Sequence, residues 1–155
     1  LVLSTLHTND APSTINRLID MGIEPFLVAS STNLICAQRL LRKICNSCKT
    51  EVKLPPEVVR ELGLSEDDVR KQAFYEGKGC VDCNNTGYKG RLGVYEVFTV
   101  TPKIRDLILD RAATSAIKKQ AVGEGMLTLR MDALIKLKKG ITTAEEVLKE
   151  TAADQ

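Results

Sequence analysis

Residues 1–12 read LVLSTLHTNDAP, and this stretch decides the fold class. Residues 1–6 are almost continuously apolar rather than alternating, which predicts a strand buried on both faces. The run delivers His7, the single histidine of the chain, to the polar turn Thr8, Asn9 and Asp10. Asn9 or Asp10 can cap a helix, and Pro12 suits its first turn. Ile15, Leu18 and Ile19 then recur at helical spacing, and Gly22 stops the run as a C-terminal glycine does. Strand, polar turn and helix in this order are half of a βαβ unit and predict the α/β class. The other half is missing from the sequence.

Position gives His7 a possible chemical use. In open α/β sheets, ligands sit beyond the carboxyl ends of the strands, and the turn after His7 leads to a helix N-terminus, where phosphate is welcome. The plainer reading is a turn residue hydrogen-bonded by Thr8 or Asn9. No G-x-x-x-x-G-K-[ST] loop occurs in the sequence. Phosphate chemistry therefore cannot be completed by these residues alone.

Composition narrows the classes. Of 155 residues, 43% are hydrophobic and only 4% aromatic, with no tryptophan, so Leu, Ile and Val must build the core. A net charge of +2 with acids and bases intermixed gives no field for bulk nucleic-acid capture. The shortage of aromatics argues against a base-stacking platform. No secretory leader is expected, and the sequence holds no apolar run of the ~18 residues that a membrane span needs. A reducing compartment is expected.

Further along, residues 25–43 predict a second helix, with Leu27, Val28, Leu34, Ile35 and Leu41 on its apolar face and a basic end at Gln38, Arg39, Arg42 and Lys43. Cys36 reads there as a small buried apolar residue. Pro55–Pro56 and Ser65 start two short helices, and residues 84–90 are turn-rich. Residues 91–98, RLGVYEVF, alternate as a strand. Thr101–Pro102 caps a helix carrying Ile104, Leu107 and Ile108. Residues 126–139 carry a helical stripe of Leu127, Leu134 and Leu137. Thr142 and Glu145 have the spacing of a capping box, and the tail from Thr151 is expected to fray.

Four of the five cysteines form two pairs, Cys45-x-x-Cys48 and Cys80-x-x-Cys83. Each pair can make a knuckle that turns two thiolates toward one ion, and two knuckles complete a tetrahedron. Gly79, Asn84, Asn85 and Gly87 supply tight turns that free backbone N–H groups to face sulfur. Four thiolates around zinc leave a charge of −2, which Lys43, Lys49, Lys78 and Lys89 can offset. Such a site is closed, so it is structural rather than catalytic, with apparent binding energy on the order of 10 kcal/mol coupled to folding. A redox CxxC is the rival. It wants one pair at a helix N-terminus, whereas here there are two, and Cys45 is predicted to follow a helix. A stand-alone zinc ribbon that binds protein or nucleic acid is another rival, set against the low aromatic content and the long helical remainder.

The stretch LVLSTLHTNDAPSTINRLIDMGIEPFLVASSTNLICAQRLLRKIC closely resembles the histidine-box region of the bacterial secretion ATPases, the hexameric motors of type IV pilus assembly and type II secretion. GCVDCNNTGYKGRLGVYEVF is similar to the tetracysteine zinc module of that family, and GMLTLRMDALIKLKKGITTAEEVLKE to its helical C-terminus. The wording NDAPSTINRLIDMGIEPFLVAS leans toward the pilus assembly branch over the type II secretion branch.

The resemblance implies an architecture: residues 1–44 as the C-terminal part of a RecA-like ATPase core, 45–98 as a zinc module on Cys45, Cys48, Cys80 and Cys83, and 99–155 as a small helical bundle. It implies that His7, supported by Thr8, senses the γ-phosphate of ATP. The phosphate loop, the acidic boxes and the magnesium ligands would belong to sequence upstream, so these residues alone should neither bind ATP tightly nor hydrolyse it. It further implies a homo-hexamer, cytoplasmic and peripheral at the inner membrane, that meets a membrane platform protein and no nucleic acid.

Overall fold

The structure, a computed structural model, describes residues 1–153. The chain is mixed α/β and divides into two compact units, residues 1–37 with 95–128, and residues 38–94 with the C-terminal stretch from 129.

In the first unit, α1 (Ser13–Asp20) and α2 (Pro25–Ser31) pack together, and α5 (Pro102–Leu109) packs on both α2 and α6 (Thr114–Gly123). Ala11, Ile15, Val28, Phe98, Ile104 and Ile117 are at the centre of its core. Helix α5 begins as the sequence predicts, with Thr101 Oγ1 accepting from the Ile104 N–H and Pro102 in the first turn. Two expectations fail in this region. Residues 1–6 form no strand, and Leu1, Val2 and Leu3 are exposed. Among the described residues nothing pairs with their backbone, and an apolar run without a ladder partner has no reason to extend. The helix predicted over 25–43 ends at Ser31, because Thr32 is extended (φ −87°, ψ 122°) and β1 (Leu34–Ile44) follows.

Strand β1 pairs with β4 (Tyr88–Thr99). The Val100 N–H donates to the Asn33 carbonyl at one end (3.0 Å), and the Cys45 N–H donates to the Gly87 carbonyl at the other (2.9 Å), so the two run antiparallel. The apolar residues of 34–44 fit helical and strand patterns alike, and this long-range pairing decides between them. Cys36 consequently lies on a strand and is exposed, not buried within a helix. Strand β4 contains the predicted 91–98 run and buries Val94, Glu96 and Phe98.

In the second unit, β2 (Lys49–Val52) pairs antiparallel with β3 (Phe74–Gly77), with Lys49 opposite Gly77 and Val52 opposite Phe74. Between them come α3 (Pro56–Leu62) and α4 (Glu66–Lys71). Helix α4 starts at the predicted Ser65, in a full capping box with Asp68. Helices α7 (Leu129–Lys138) and α8 (Ala144–Glu150) pack on each other, and α3 packs on α8. Leu127 precedes α7 and is exposed and Leu134 is half-buried, whereas the predicted Leu137 is buried, together with Leu129 and Ala133. The cap of α8 is Thr143, whose Oγ1 accepts from the Glu146 N–H, one residue beyond the predicted Thr142 and Glu145. Thr151 does not fray. It is buried, and Arg130 donates to the carbonyls of Thr151 (2.6 Å) and Ala152 (3.3 Å). Asp154 and Gln155 of the predicted tail lie outside the described residues.

Candidate metal centre and the turn after His7

Cys45 follows directly on β1, not on a helix, and Cys48 directly precedes β2, so two strands deliver the first pair. Cys80 and Cys83 bracket a 3₁₀ turn (Val81–Cys83) just before β4. The turn chemistry predicted from Gly79, Asn84, Asn85 and Gly87 is present, all four residues having positive φ. Gly77 and Gly87 lie back to back, and a Cβ on Gly77 would overlap the Gly87 carbonyl. Only glycine permits that approach.

All four Sγ atoms lie within 4.8 Å of one another. The separations are 3.8 Å for Cys45–Cys80, 3.9 Å for Cys48–Cys83 and 3.7 Å for Cys80–Cys83. A tetrahedral ion with metal–sulfur bonds of about 2.3 Å requires sulfur–sulfur edges of about 3.8 Å. The residues therefore fit a four-coordinate thiolate site. Removal from water pushes the Cys48 thiol up to about 12. Cys83 meets the same penalty, but N–H donors from Cys80 (3.2 Å) and Gly87 (3.3 Å) outweigh it and hold its thiol near 6. With all four positions filled by sulfur, such a site leaves no vacancy for a substrate.

The flanks of the cysteines fasten to the turn between α7 and α8, which sequence reasoning did not foresee. The Ile44 N–H donates to the Ile141 carbonyl (2.9 Å), and Thr142 Oγ1 donates to the Arg42 carbonyl (2.9 Å). Lys49 Nζ donates to the Gly140 carbonyl (2.7 Å) while lying 4.3 Å above the Tyr75 ring. Glu146, buried, accepts from the Arg42 backbone N–H (2.8 Å), Nε (2.8 Å) and Nη2 (2.5 Å). Burial alone would raise the Glu146 carboxyl; the Arg42 hydrogen bonds outweigh that and lower it, while the guanidinium is raised in turn. None of these pairings leaves a local signal, since about 100 residues separate the partners.

In the other unit, His7 is exposed at the end of the irregular segment. Thr8 is half-buried, its Oγ1 2.8 Å from Thr14 Oγ1. The Ser13 N–H donates to Asp10 Oδ1 (2.9 Å), so the chain's own carboxylate occupies a first-turn donor of α1 that a phosphate would use. The buried Ala11 N–H donates to Glu96 Oε1 (2.7 Å). No helix among the described residues is long and apolar enough to cross a membrane.

The family model described as "Type II/IV secretion system protein" matches residues 1–149. The chain is 46% identical over its full length to the type IV pilus assembly ATPase PilB of Myxococcus xanthus, covering 28% of that protein. It is 47% identical over 97% of its length to the PilB of Thermus thermophilus, covering 17% of it. It is 40% identical over 97% of its length to the type II secretion system ATPase E of Vibrio cholerae, covering 29% of it. The chain thus spans less than a third of these relatives. The match over residues 1–149 and these identities along nearly the whole chain show that it belongs to the type II/IV secretion system protein family.

Proposed function

We propose that these residues are the C-terminal region of a hexameric ATPase motor that powers type IV pilus assembly. The observation that carries this reading is identity of 46% and 47% to two pilus assembly ATPases across nearly the whole chain. Type II secretion is the second reading, supported by 40% identity to a type II secretion ATPase. In the pilus reading, residues 1–44 complete a RecA-like core, 45–98 form a zinc module, and 99–155 a helical subdomain. His7, with Thr8 behind it, meets the γ-phosphate of ATP, the magnesium-bound substrate of the motor. Cys45, Cys48, Cys80 and Cys83 would hold zinc, which supplies no reaction chemistry and stiffens the fold by cross-linking β1, β2 and the turn before β4. The motor works in the cytoplasm at the inner membrane, against a platform protein.

The test is genetic and enzymatic together. Deleting the gene should abolish surface pili, and restoring it with His7→Ala should leave them absent while cutting ATP turnover of the complete motor roughly a hundredfold. Normal piliation with failed protein secretion would favour the second reading. Because no phosphate loop lies among these 155 residues, the isolated stretch is expected to show no turnover above background.

A further inference from the structure

We infer that Glu96 is a positioning residue for His7, an inference that rests on the proposed role of His7. Strand β4 buries alternate residues, and between the apolar Val94 and Phe98 it places a carboxylate that is 1% exposed. An ionisable group there is costly unless it is paired, and an apolar side chain of similar size would serve packing better. The carboxylate instead receives the Ala11 N–H at 2.7 Å, a buried backbone donor in the turn that follows His7. That turn belongs to no ladder and precedes the regular part of α1. A fixed acceptor from β4 is therefore what anchors it to the sheet strand.

Two further ties make the anchor effective. Thr8 Oγ1 meets Thr14 Oγ1 at 2.8 Å, and Asp10 Oδ1 receives the Ser13 N–H at 2.9 Å. With Ala11 fixed on Glu96 and Thr8 fixed on α1, the backbone is held on both sides of Asn9 and Asp10. His7 then leaves from a held residue, Thr8, instead of from a mobile loop. A small displacement of a group that meets a reacting phosphate is costly in rate, so loss of the anchor acts on turnover as well as on the fold. Glu96 touches no nucleotide in this scheme. It acts through the turn.

The experiment uses the complete motor protein with Glu96→Leu, Glu96→Gln and His7→Ala, singly and combined. Glu96→Leu leaves the buried Ala11 N–H unpaired, so it should lower the melting temperature modestly, speed hydrogen exchange at the Ala11 amide and, assayed well below that temperature, lower kcat roughly ten- to a hundredfold with little change in KM for ATP. Glu96→Gln keeps an oxygen acceptor at the same reach and should restore most of that loss. Adding Glu96→Leu to His7→Ala should cost nothing more, because both act through one imidazole. Additive losses, a glutamine as damaging as leucine, or an unaltered Ala11 amide would overturn the inference while leaving the role of His7 standing. Normal kcat in His7→Ala itself would overturn the role of His7 and the inference with it, a distinguishable result. Should Glu96→Leu fail to fold, Glu96→Asp withdraws the acceptor by one methylene and carries the same comparison.

Discussion

Glu146 is buried and takes three hydrogen bonds from Arg42, whose guanidinium also lies 3.9 Å over the Tyr88 ring. Removing the carboxylate strands the backbone donor and the half-buried guanidinium together. Glu146→Ala is expected to destabilise the chain by about 3 kcal/mol, measured by urea unfolding with the metal present. Asp68 gives a pH-dependent counterpart. A hydrogen bond from Lys138 Nζ (2.6 Å), helped by the Ser65 N–H and hydroxyl, lowers its carboxyl to about 2. A folded-state value below the unfolded one near 3.9 means the stabilisation is complete above that pH and is lost as pH falls toward 2. The stability difference between the native chain and Asp68→Asn should therefore be constant from pH 7 to about 5 and vanish by about 2, a comparison in which shared loss of metal cancels. Cys36 offers a third check. Being exposed and outside the four-sulfur cluster, it should be the sole thiol alkylated in the metal-loaded protein, with the other four reacting only after chelation, as mass spectrometry would read.

Elements were legible where the signal was local. Ser65 and Thr101 carry their caps in the sequence itself, Pro56 and Pro102 mark first helical turns, and the Gly79 to Gly87 turns follow from residues that accept positive φ. What was illegible depended on distant partners. Residues 34–44 satisfy two periodicities, and only the pairing with β4 chooses the strand. Residues 1–6 have the composition of a strand, yet composition supplies no neighbour. The spacing of Thr142 and Glu145 puts the cap of α8 one residue early, because Thr142 and Thr143 are alike locally. Thr142 is drawn off to the Arg42 carbonyl, 100 positions away, which leaves Thr143 to cap. The knuckle itself makes an element-scale prediction. Because Gly77 and Gly87 approach too closely for any Cβ, Gly77→Ala should separate β3 from the turn before β4 and weaken metal retention at least tenfold in chelator competition. A substitution at Gly123, where nothing lies within 4 Å of a new Cβ, should leave retention unchanged.

Across the molecule, the four cysteines were readable as a set while their setting was not. Sequence order suggests a metal module inserted ahead of separate helices. In the structure the cysteine flanks Arg42, Ile44 and Lys49 are fastened to residues 140–146, within the same compact unit. Metal removal should consequently raise hydrogen exchange through residues 38–94 and also in the α7–α8 turn, not in the knuckles alone. In the proposed arrangement, two thiolate knuckles close around one structural zinc ion, and X-ray absorption at the zinc edge of the purified protein reads that shell. One zinc per chain with four sulfur neighbours at about 2.3 Å is the predicted result. A shell containing nitrogen or oxygen, or protein that folds and keeps its α7–α8 turn with no zinc at all, would contradict it.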